Sequence, residues 1–154
     1  MRFILAFCLL LNLTLAAVAL GQVAAATQPT QFSAADITID SGDQALAAWQ
    51  VELVATQGEV KIVGVEGGTH KDVYRDPPYY DPAALAGGRI IIASYTTNEN
   101  PPKGKVLVAR VHLQSRGEFT LTTKVIAAAD PGAGKIDVTA SVSKSNSQSS
   151  SVKE

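Results

Sequence analysis

Apolar and polar residues alternate along much of this chain, in the way expected of β-strands that bury only one face. Between Ala47 and Thr56 every second residue is apolar, while Gln50 and Glu52 fall on the opposite parity. Successive side chains of a strand point to opposite faces, so this pattern predicts a strand with one buried side. Trp49 has the inward parity and is expected in the core.

Six further segments carry a strand signal. Residues 60–65 and 89–97 are apolar on both parities. For 60–65 this predicts either a strand covered on both faces or a segment that switches between sheets, and for 89–97 it predicts a central strand with Tyr95 in the core. Turns are predicted at Gln57-Gly58 and Arg116-Gly117, each between two strands. The other four segments alternate, at residues 36–40, 105–114, 118–127 and 136–143. Within 118–127 the predicted inward positions are Phe119, Leu121, Val125 and Ala127.

These signals indicate an all-β protein, because short strands are separated by glycine and proline turns and no long segment has helical periodicity. One-sided burial is typical of antiparallel sheets, so the predicted fold class is an antiparallel β-sandwich. One long irregular loop interrupts it from Thr69 to Gly88, since its three prolines cannot join a regular ladder. Asp81 followed by Pro82 predicts one helical turn within that loop.

The chain begins with the features of a secretory signal peptide over residues 1–26. Arg2 gives a positive start, the 18 residues Phe3–Leu20 are almost all apolar, and alanines at 24–26 suit a signal peptidase. An uncleaved membrane anchor is the alternative, because a segment of that length can just span a bilayer. Cleavage predicts a secreted protein, extracellular or periplasmic, with no membrane segment left. The predicted divisions that follow are a flexible lead-in at 27–33, the sandwich at 34–143 and a disordered serine-rich tail at 144–154.

The amino-acid composition limits the chemistry and the partners that can be expected of this protein. Cys8 is the single cysteine and lies in the signal peptide, so the mature chain is predicted to have neither disulfides nor thiolate metal sites. Lys and Arg number 13 against 14 Asp and Glu residues. This balance lacks the basic surface that nucleic-acid binding requires, so no nucleic-acid partner is predicted.

Candidate catalytic groups are few. His112 falls on the polar face of a strand and His70 at the start of the long loop, and both are interpreted as surface residues. The chain has no G-x-S-x-G elbow, no H-E-x-x-H pair and no phosphate-binding glycine loop before a helix. Asp72, Asp76 and Asp81 offer paired carboxylates of the kind that cleave glycosides, but aspartates beside proline and tyrosine are ordinary turn formers. The protein is therefore predicted not to be an enzyme.

The three loop aspartates are also weak candidates for a metal site, because calcium prefers hard oxygen ligands at short spacing. Asp36, Asp40 and Asp43 form a second acidic group near one strand end. Neither group has the spacing of an EF-hand loop. No cofactor is predicted, and calcium is left open.

Tyr74, Tyr79 and Tyr80 are the candidate ligand-binding residues. They lie in the proline-rich loop, where strand alternation does not force them inside. Tyrosine combines an apolar ring with a polar tip and is favoured at recognition surfaces. The alternative is that these rings fold down as a lid over one edge of the sandwich.

The order of these segments resembles that of cohesin domains and of the carbohydrate-binding modules that share their nine-stranded jelly-roll sandwich. The resemblance covers most of Ala34 to Ser143 and rests on the stretches ALAAWQVELVAT, KIVGVEGG, GGRIIIASYTT and KGKVLVARVHLQS. It implies a non-catalytic jelly-roll module, in which a sheet face binds a dockerin-like protein or, in the related modules, a polysaccharide. The resulting hypothesis is a secreted cohesin-like module for dockerin-type protein–protein or extracellular matrix interaction. The alternatives are a polysaccharide-binding module and a structural envelope component.

Overall fold

The computed structural model describes residues 28–70 and 72–145, and 62% of the described residues lie in β-strands. The strands are β1 (Thr30–Asp40), β2 (Ala48–Gly67), β3 (Tyr79–Tyr80), β4 (Arg89–Tyr95), β5 (Lys105–Ala129) and β6 (Thr139–Ser145). They form one antiparallel sheet in the order β3-β4-β2-β5-β1-β6, which confirms the all-β, antiparallel prediction. Within the described part, no helix is long and apolar enough to cross a membrane.

Strand pairing extends past both predicted ends of the domain. β1 begins at Thr30, inside the predicted lead-in, where it pairs with Arg116 of β5. β6 continues to Ser145, inside the predicted tail, where it pairs with Ala34 of β1. The predicted signal peptide and the rest of the predicted tail, residues 146–154, lie outside the described residues.

β2 and β5 are each one continuous strand, where the sequence predicted two strands and a turn. The turns predicted at Gln57-Gly58 and Arg116-Gly117 are therefore wrong. Gly58 and Gly117 do take positive φ angles, 78° and 69°, but at an irregularity where three residues of β5 face one residue of β2. A glycine with positive φ suits a bulge as well as a turn, so the sequence pattern alone does not separate the two.

The two long strands change neighbours along their length. β4 borders β2 only between Ala48 and Val54, so the second half of β2 pairs with β5 alone. In the same way, β1 borders β5 only between Lys105 and Arg116. The first and second halves of each long strand therefore have different neighbouring strands.

β5 bends back on the sheet. The hydroxyl of Thr123 in β5 donates a 3.1 Å hydrogen bond to the carbonyl of Ala140 in β6. Ala140 pairs with Ile39 of β1, which in turn pairs with Val106 of β5. Thr123 is 17 residues beyond Val106. In a flat sheet it would lie roughly 55 Å from that point at about 3.3 Å per residue, so the contact requires β5 to curve toward β6.

The core lies on the inward faces of the strands. Trp49 is 2% exposed, which confirms its predicted position, and its ring meets that of Tyr74 edge to face at 6.0 Å. Each fully buried aliphatic side chain contributes about 1.5–3 kcal/mol to the stability of the fold. The largest fully buried aliphatic side chains are Ile37, Ile39, Leu46, Leu53, Ile62, Ile90, Ile92 and Leu113.

Each of the two segments that are apolar on both parities exposes a large apolar side chain, so the prediction that both of their faces are covered is wrong. In residues 60–65, Val63 is 43% exposed while Ile62 beside it is buried. In β4, Ile90 and Ile92 are buried, but Tyr95 is 61% exposed rather than in the core. Apolar residues are common on protein surfaces, because polar residues alone cannot cover a folded chain.

A bulge reverses the predicted orientation at the end of β5. Gln50 of β2 faces Ala127, but the next residue, Val51, faces Val125. The additional residue, Ile126, shifts the parity by one. The inward orientation predicted for Ala127 is therefore wrong, since Ala127 is exposed and the following alanine is buried.

The long segment between β2 and β4 is anchored where it begins. Gly67 and Gly68 approach other parts of the backbone so closely that a Cβ on either would overlap a carbonyl oxygen. A Cβ on Gly67 would overlap the carbonyl oxygen of Arg75, and a Cβ on Gly68 would overlap that of Leu107. The backbone at the end of β2 thus packs tightly between the loop and β5.

The single helical turn predicted in this segment is confirmed. A 3-10 turn spans Pro82–Ala84, directly after β3. Asp81 is its N-cap, and its Oδ1 accepts a 2.9 Å hydrogen bond from the backbone N–H of Ala83. This local arrangement follows from an aspartate placed before a proline at the first helical position.

Candidate functional site

Two exposed tyrosines stand side by side where β3 meets β4. Tyr79 is 69% exposed, and its ring lies parallel to that of Tyr95 within 7°, with the ring centroids 6.2 Å apart. Tyr79 pairs with Ala93 of β4, and Tyr95 is two residues farther along that strand. Both side chains therefore leave the same face of the sheet, as diagonal neighbours. Strand register thus sets the position of this aromatic surface.

The sheet beside the tyrosine pair has a floor of small side chains. Two rows cross β4, β2 and β5 there: Ala93, Gln50 and Ala127 in one, and Tyr95, Ala48 and Ala129 in the next. The methyl side chains leave a depression of about 270 Å³ bordered by both tyrosines. We refer to this depression as the tyrosine–alanine groove. Its lining is mainly apolar and uncharged, with the side chain of Gln50 as a polar group on the floor, whereas Ser94 pairs with the buried Trp49 and has the inward parity.

Two further cavities open beside the same residue, Tyr95. The loop cavity, of about 640 Å³, lies between residues 72–77 and the end of β4, and its lining is mainly polar. The turn cavity, of about 470 Å³, lies between residues 95–99 and the turn that follows β5. Tyr79 lines the loop cavity and the tyrosine–alanine groove, whereas Tyr95 lines all three spaces.

The three tyrosines predicted to bind a ligand lie in different surroundings. Tyr79 is on the surface, Tyr80 is half-buried against the core, and Tyr74 is buried. The hydroxyl of Tyr74 donates a 2.5 Å hydrogen bond to the carbonyl of Leu46, and its own carbonyl accepts one from the N–H of Gly68. Of these three residues, only Tyr79 offers an exposed ring to a partner.

Replacing Tyr74 by phenylalanine is expected to lower the free energy of unfolding by about 1–2 kcal/mol near pH 7, because the carbonyl of Leu46 loses its donor. Burial raises the pKa of Tyr74, so the unfolded chain releases this proton near pH 10 while the folded protein keeps it. The folded state of the wild type therefore loses stability as the pH rises from about 10 toward the raised pKa, by up to about 1.4 kcal/mol per pH unit.

Urea unfolding of both proteins, from about pH 7 to about pH 11, measures this contribution. The variant should lose less stability than the wild type over the alkaline part of that range. Parallel stability profiles for the two proteins would show that Tyr74 does not titrate as its burial requires.

The acidic candidates are distributed rather than clustered. Asp81 caps the 3-10 turn, while Asp72 and Asp76 are exposed in the loop. Asp36 accepts two hydrogen bonds from the guanidinium of Arg110, at 2.7 and 3.0 Å. In residues 28–70 and 72–145, no three His, Asp or Glu side chains form a group that could hold a metal ion.

The two histidines lie apart from the tyrosine pair. Nε2 of His112 is 2.9 Å from a carboxylate oxygen of Glu66, and both side chains are partly exposed to solvent. Nδ1 of His70 accepts a 3.4 Å hydrogen bond from the backbone N–H of Asp72. Neither histidine lines the groove, the loop cavity or the turn cavity.

Sequence reasoning missed Tyr95 as a site residue. The run of isoleucines before it gives the strand an apolar appearance on both parities and hides the outward position. One signal was present, because Thr96, Thr97 and Asn98 follow directly and mark the end of the strand. Side chains at strand ends have fewer neighbours than those in the middle of a sheet.

Comparisons with protein-family models, with curated proteins and with solved structures find no match to this chain. Nothing in them indicates a cohesin domain, and the resemblance to that family stays a prediction.

Proposed function

We propose that this protein is a secreted, non-catalytic module that binds neutral linear polysaccharide on the exposed face formed by β3, β4, β2 and β5. The observation that carries the proposal is the parallel pair of exposed rings, Tyr79 and Tyr95, standing beside a floor of alanines. This choice favours the second of the two main interpretations of the sequence over dockerin-type recognition.

The chemistry of the tyrosine–alanine groove suits a sugar ring. The face of an aromatic ring carries partial negative charge, which attracts the weakly positive C–H groups on the flat side of a sugar. Methyl groups on the floor permit close approach, and Gln50 and the tyrosine hydroxyls are within the lining to bond with sugar hydroxyl groups. Binding sites of this type combine a mostly apolar surface with a few polar groups that fix orientation.

The distribution of charge favours a neutral polymer. The lining of the groove holds no ionisable acid or base other than the tyrosine hydroxyls. The charged residues beside it are mainly acidic: Asp72, Arg75 and Asp76 line the loop cavity, and Glu99 and Asp130 line the turn cavity. A strongly anionic polymer would need a concentration of positive charge, as other polyanion-binding surfaces do.

For the finer fold, we propose that the sheet closes on itself as a two-layer sandwich of jelly-roll type. The bend of β5 toward β6 supports this, since Thr123 bonds to Ala140 across what would otherwise be a long distance. The composition of the core supports it as well, because both halves of β2 contribute buried side chains, Leu53 from the first and Ile62 from the second.

Affinity electrophoresis tests the proposed function. The mature chain, beginning at Thr27, is run in gels that contain hydroxyethylcellulose, xylan, galactomannan or mixed-linkage β-glucan, with polygalacturonate as the anionic comparison. We expect retardation by at least one neutral polymer and none by polygalacturonate. Unchanged mobility in every neutral gel would overturn the proposal.

A protein-binding role is the second candidate, because two exposed apolar side chains lie on a different part of the sheet. Phe32 of β1 is 71% exposed, and Val63 of β2 is 43% exposed. Exposed apolar surface of this kind marks interaction sites when it is contiguous. A specific protein partner whose binding is abolished by Phe32→Ser with Val63→Ser, and unaffected by Tyr95→Ala, would establish this role.

A further inference from the structure

We infer that the site receives an internal stretch of a polysaccharide chain, which runs across the strands through three adjoining spaces centred on Tyr95. This inference rests on the proposed function and makes it more specific. The alternative for a sugar-binding site is a pocket that holds one sugar unit or one chain end.

Three spaces share their lining residues in a continuous series. Tyr79 and Tyr95 border both the loop cavity and the tyrosine–alanine groove. Thr96 and Thr97 border both the loop cavity and the turn cavity, and Ala48 borders both the groove and the turn cavity. A ligand that covers Tyr95 therefore has space on either side of it.

The tyrosine–alanine groove runs across the strands. The loop cavity lies at the β3 end of the sheet, and the turn cavity reaches Ala129 at the end of β5. The groove takes its lining residues from β3, β4, β2 and β5, which are neighbours in that order, so it crosses four strands. Three strand spacings of about 4.8 Å give a length of about 14 Å, which exceeds a single sugar ring.

The polarity of the three spaces matches a chain of sugars rather than one sugar. The groove is apolar and suits the flat side of a ring. The loop cavity is mainly polar, and the turn cavity is more apolar than polar but includes the polar side chains of Thr97, Asn98 and Glu99. Arg75 is exposed in the loop cavity, and Glu99 is exposed in the turn cavity. Hydroxyl groups of the flanking sugars therefore meet hydrogen-bonding groups at both ends of the series.

Isothermal titration with cello-, xylo- and manno-oligosaccharides of increasing length tests the inference. In the series that corresponds to the retarding polymer, we expect the affinity to rise by a factor of at least 10 from the monosaccharide to the tetrasaccharide and then to level off. A monosaccharide that binds as tightly as the tetrasaccharide would overturn the inference and indicate a single-sugar pocket.

Two variants, one in each outer cavity, test whether the ligand reaches these cavities without changing the groove. Arg75→Ala and Glu99→Ala should each weaken binding of the hexasaccharide by about three- to tenfold and leave binding of the disaccharide unchanged. Lys61→Ala is the matched control, because Lys61 is also an exposed charged residue but lines none of the three spaces. If both variants bind the hexasaccharide as the control does, the ligand does not extend into the outer spaces.

The outcomes separate the inference from the proposed function. No retardation by any neutral polymer removes the proposed function and the inference together. Retardation combined with length-independent affinity leaves the proposed function standing and removes only the extended path.

Discussion

Replacing Gly68 by alanine is expected to lower the free energy of unfolding by about 3 kcal/mol or more. A Cβ at this position would overlap the carbonyl oxygen of Leu107 and touch Cα of Val108 at 3.0 Å. Both are backbone atoms within β5, so no side chain can rotate away to make room. The N–H of Gly68 also donates to the carbonyl of Tyr74, so moving this backbone disturbs the loop as well.

Gly64→Ala is the matched control, because Gly64 lies in β2 four residues before Gly68 and a Cβ there would meet its nearest neighbour, the ring of His112, at 3.8 Å. Its stability should equal that of the wild type or exceed it by up to about 1 kcal/mol, since alanine restricts the unfolded chain. Urea unfolding followed by fluorescence measures both variants, because Trp49 is the only tryptophan and is buried. Equal unfolding midpoints for the two variants would contradict the close approach at Gly68.

Replacing Tyr79 and Tyr95 together by alanine is expected to weaken polysaccharide binding by about 30- to 100-fold. An aromatic contact contributes about 0.5–1.5 kcal/mol beyond the area that it buries, and each 1.4 kcal/mol changes a dissociation constant about tenfold. Both rings are more than half exposed, so the free energy of unfolding should change by no more than about 0.5 kcal/mol. Binding and stability are thereby separated in one variant.

Phe32→Ala controls for the loss of an exposed aromatic ring elsewhere on the sheet. Phe32 is 71% exposed in β1 and lines neither the tyrosine–alanine groove nor its two neighbours. Its affinity for the retarding polymer should equal that of the wild type. If the double tyrosine variant binds as well as Phe32→Ala does, the tyrosine pair is not the binding surface.

The sequence was a sufficient guide wherever local chemistry decides the structure. Alternation around Trp49 located a strand and its inward face, and Asp81 before Pro82 located the capped 3-10 turn. It failed at Gly58 and Gly117, because a positive φ angle is needed both for a tight turn and for a bulge in a continuous strand. Only the position of the opposing strand distinguishes these two uses of glycine.

The candidate site depended on information that is not local. Tyr74 was grouped with Tyr79 because both lie in the loop, but the fold draws Tyr74 inward to the carbonyl of Leu46. The pattern along the chain assigned Tyr95 to the core. In the sheet, however, the only strand on the outer side of β4 is the two-residue strand β3. The floor of the groove depends on the bulge at Ile126, which turns Ala127 and Ala129 of β5 outward while Ala128 stays buried. Each of these facts follows from strand pairing rather than from the pattern along the chain.

The most direct test of the proposed binding surface is an NMR titration of the ¹⁵N-labelled mature protein with the hexasaccharide of the retarding polymer. The account predicts that the largest amide shift changes cluster in the groove and its borders, at Ala48, Ala93, Tyr95, Thr97 and Ala127. Amides around Phe32 and Val63 should remain unchanged. Shift changes centred on Phe32 and Val63, with the groove unaffected, would contradict the account and place recognition on the other part of the sheet.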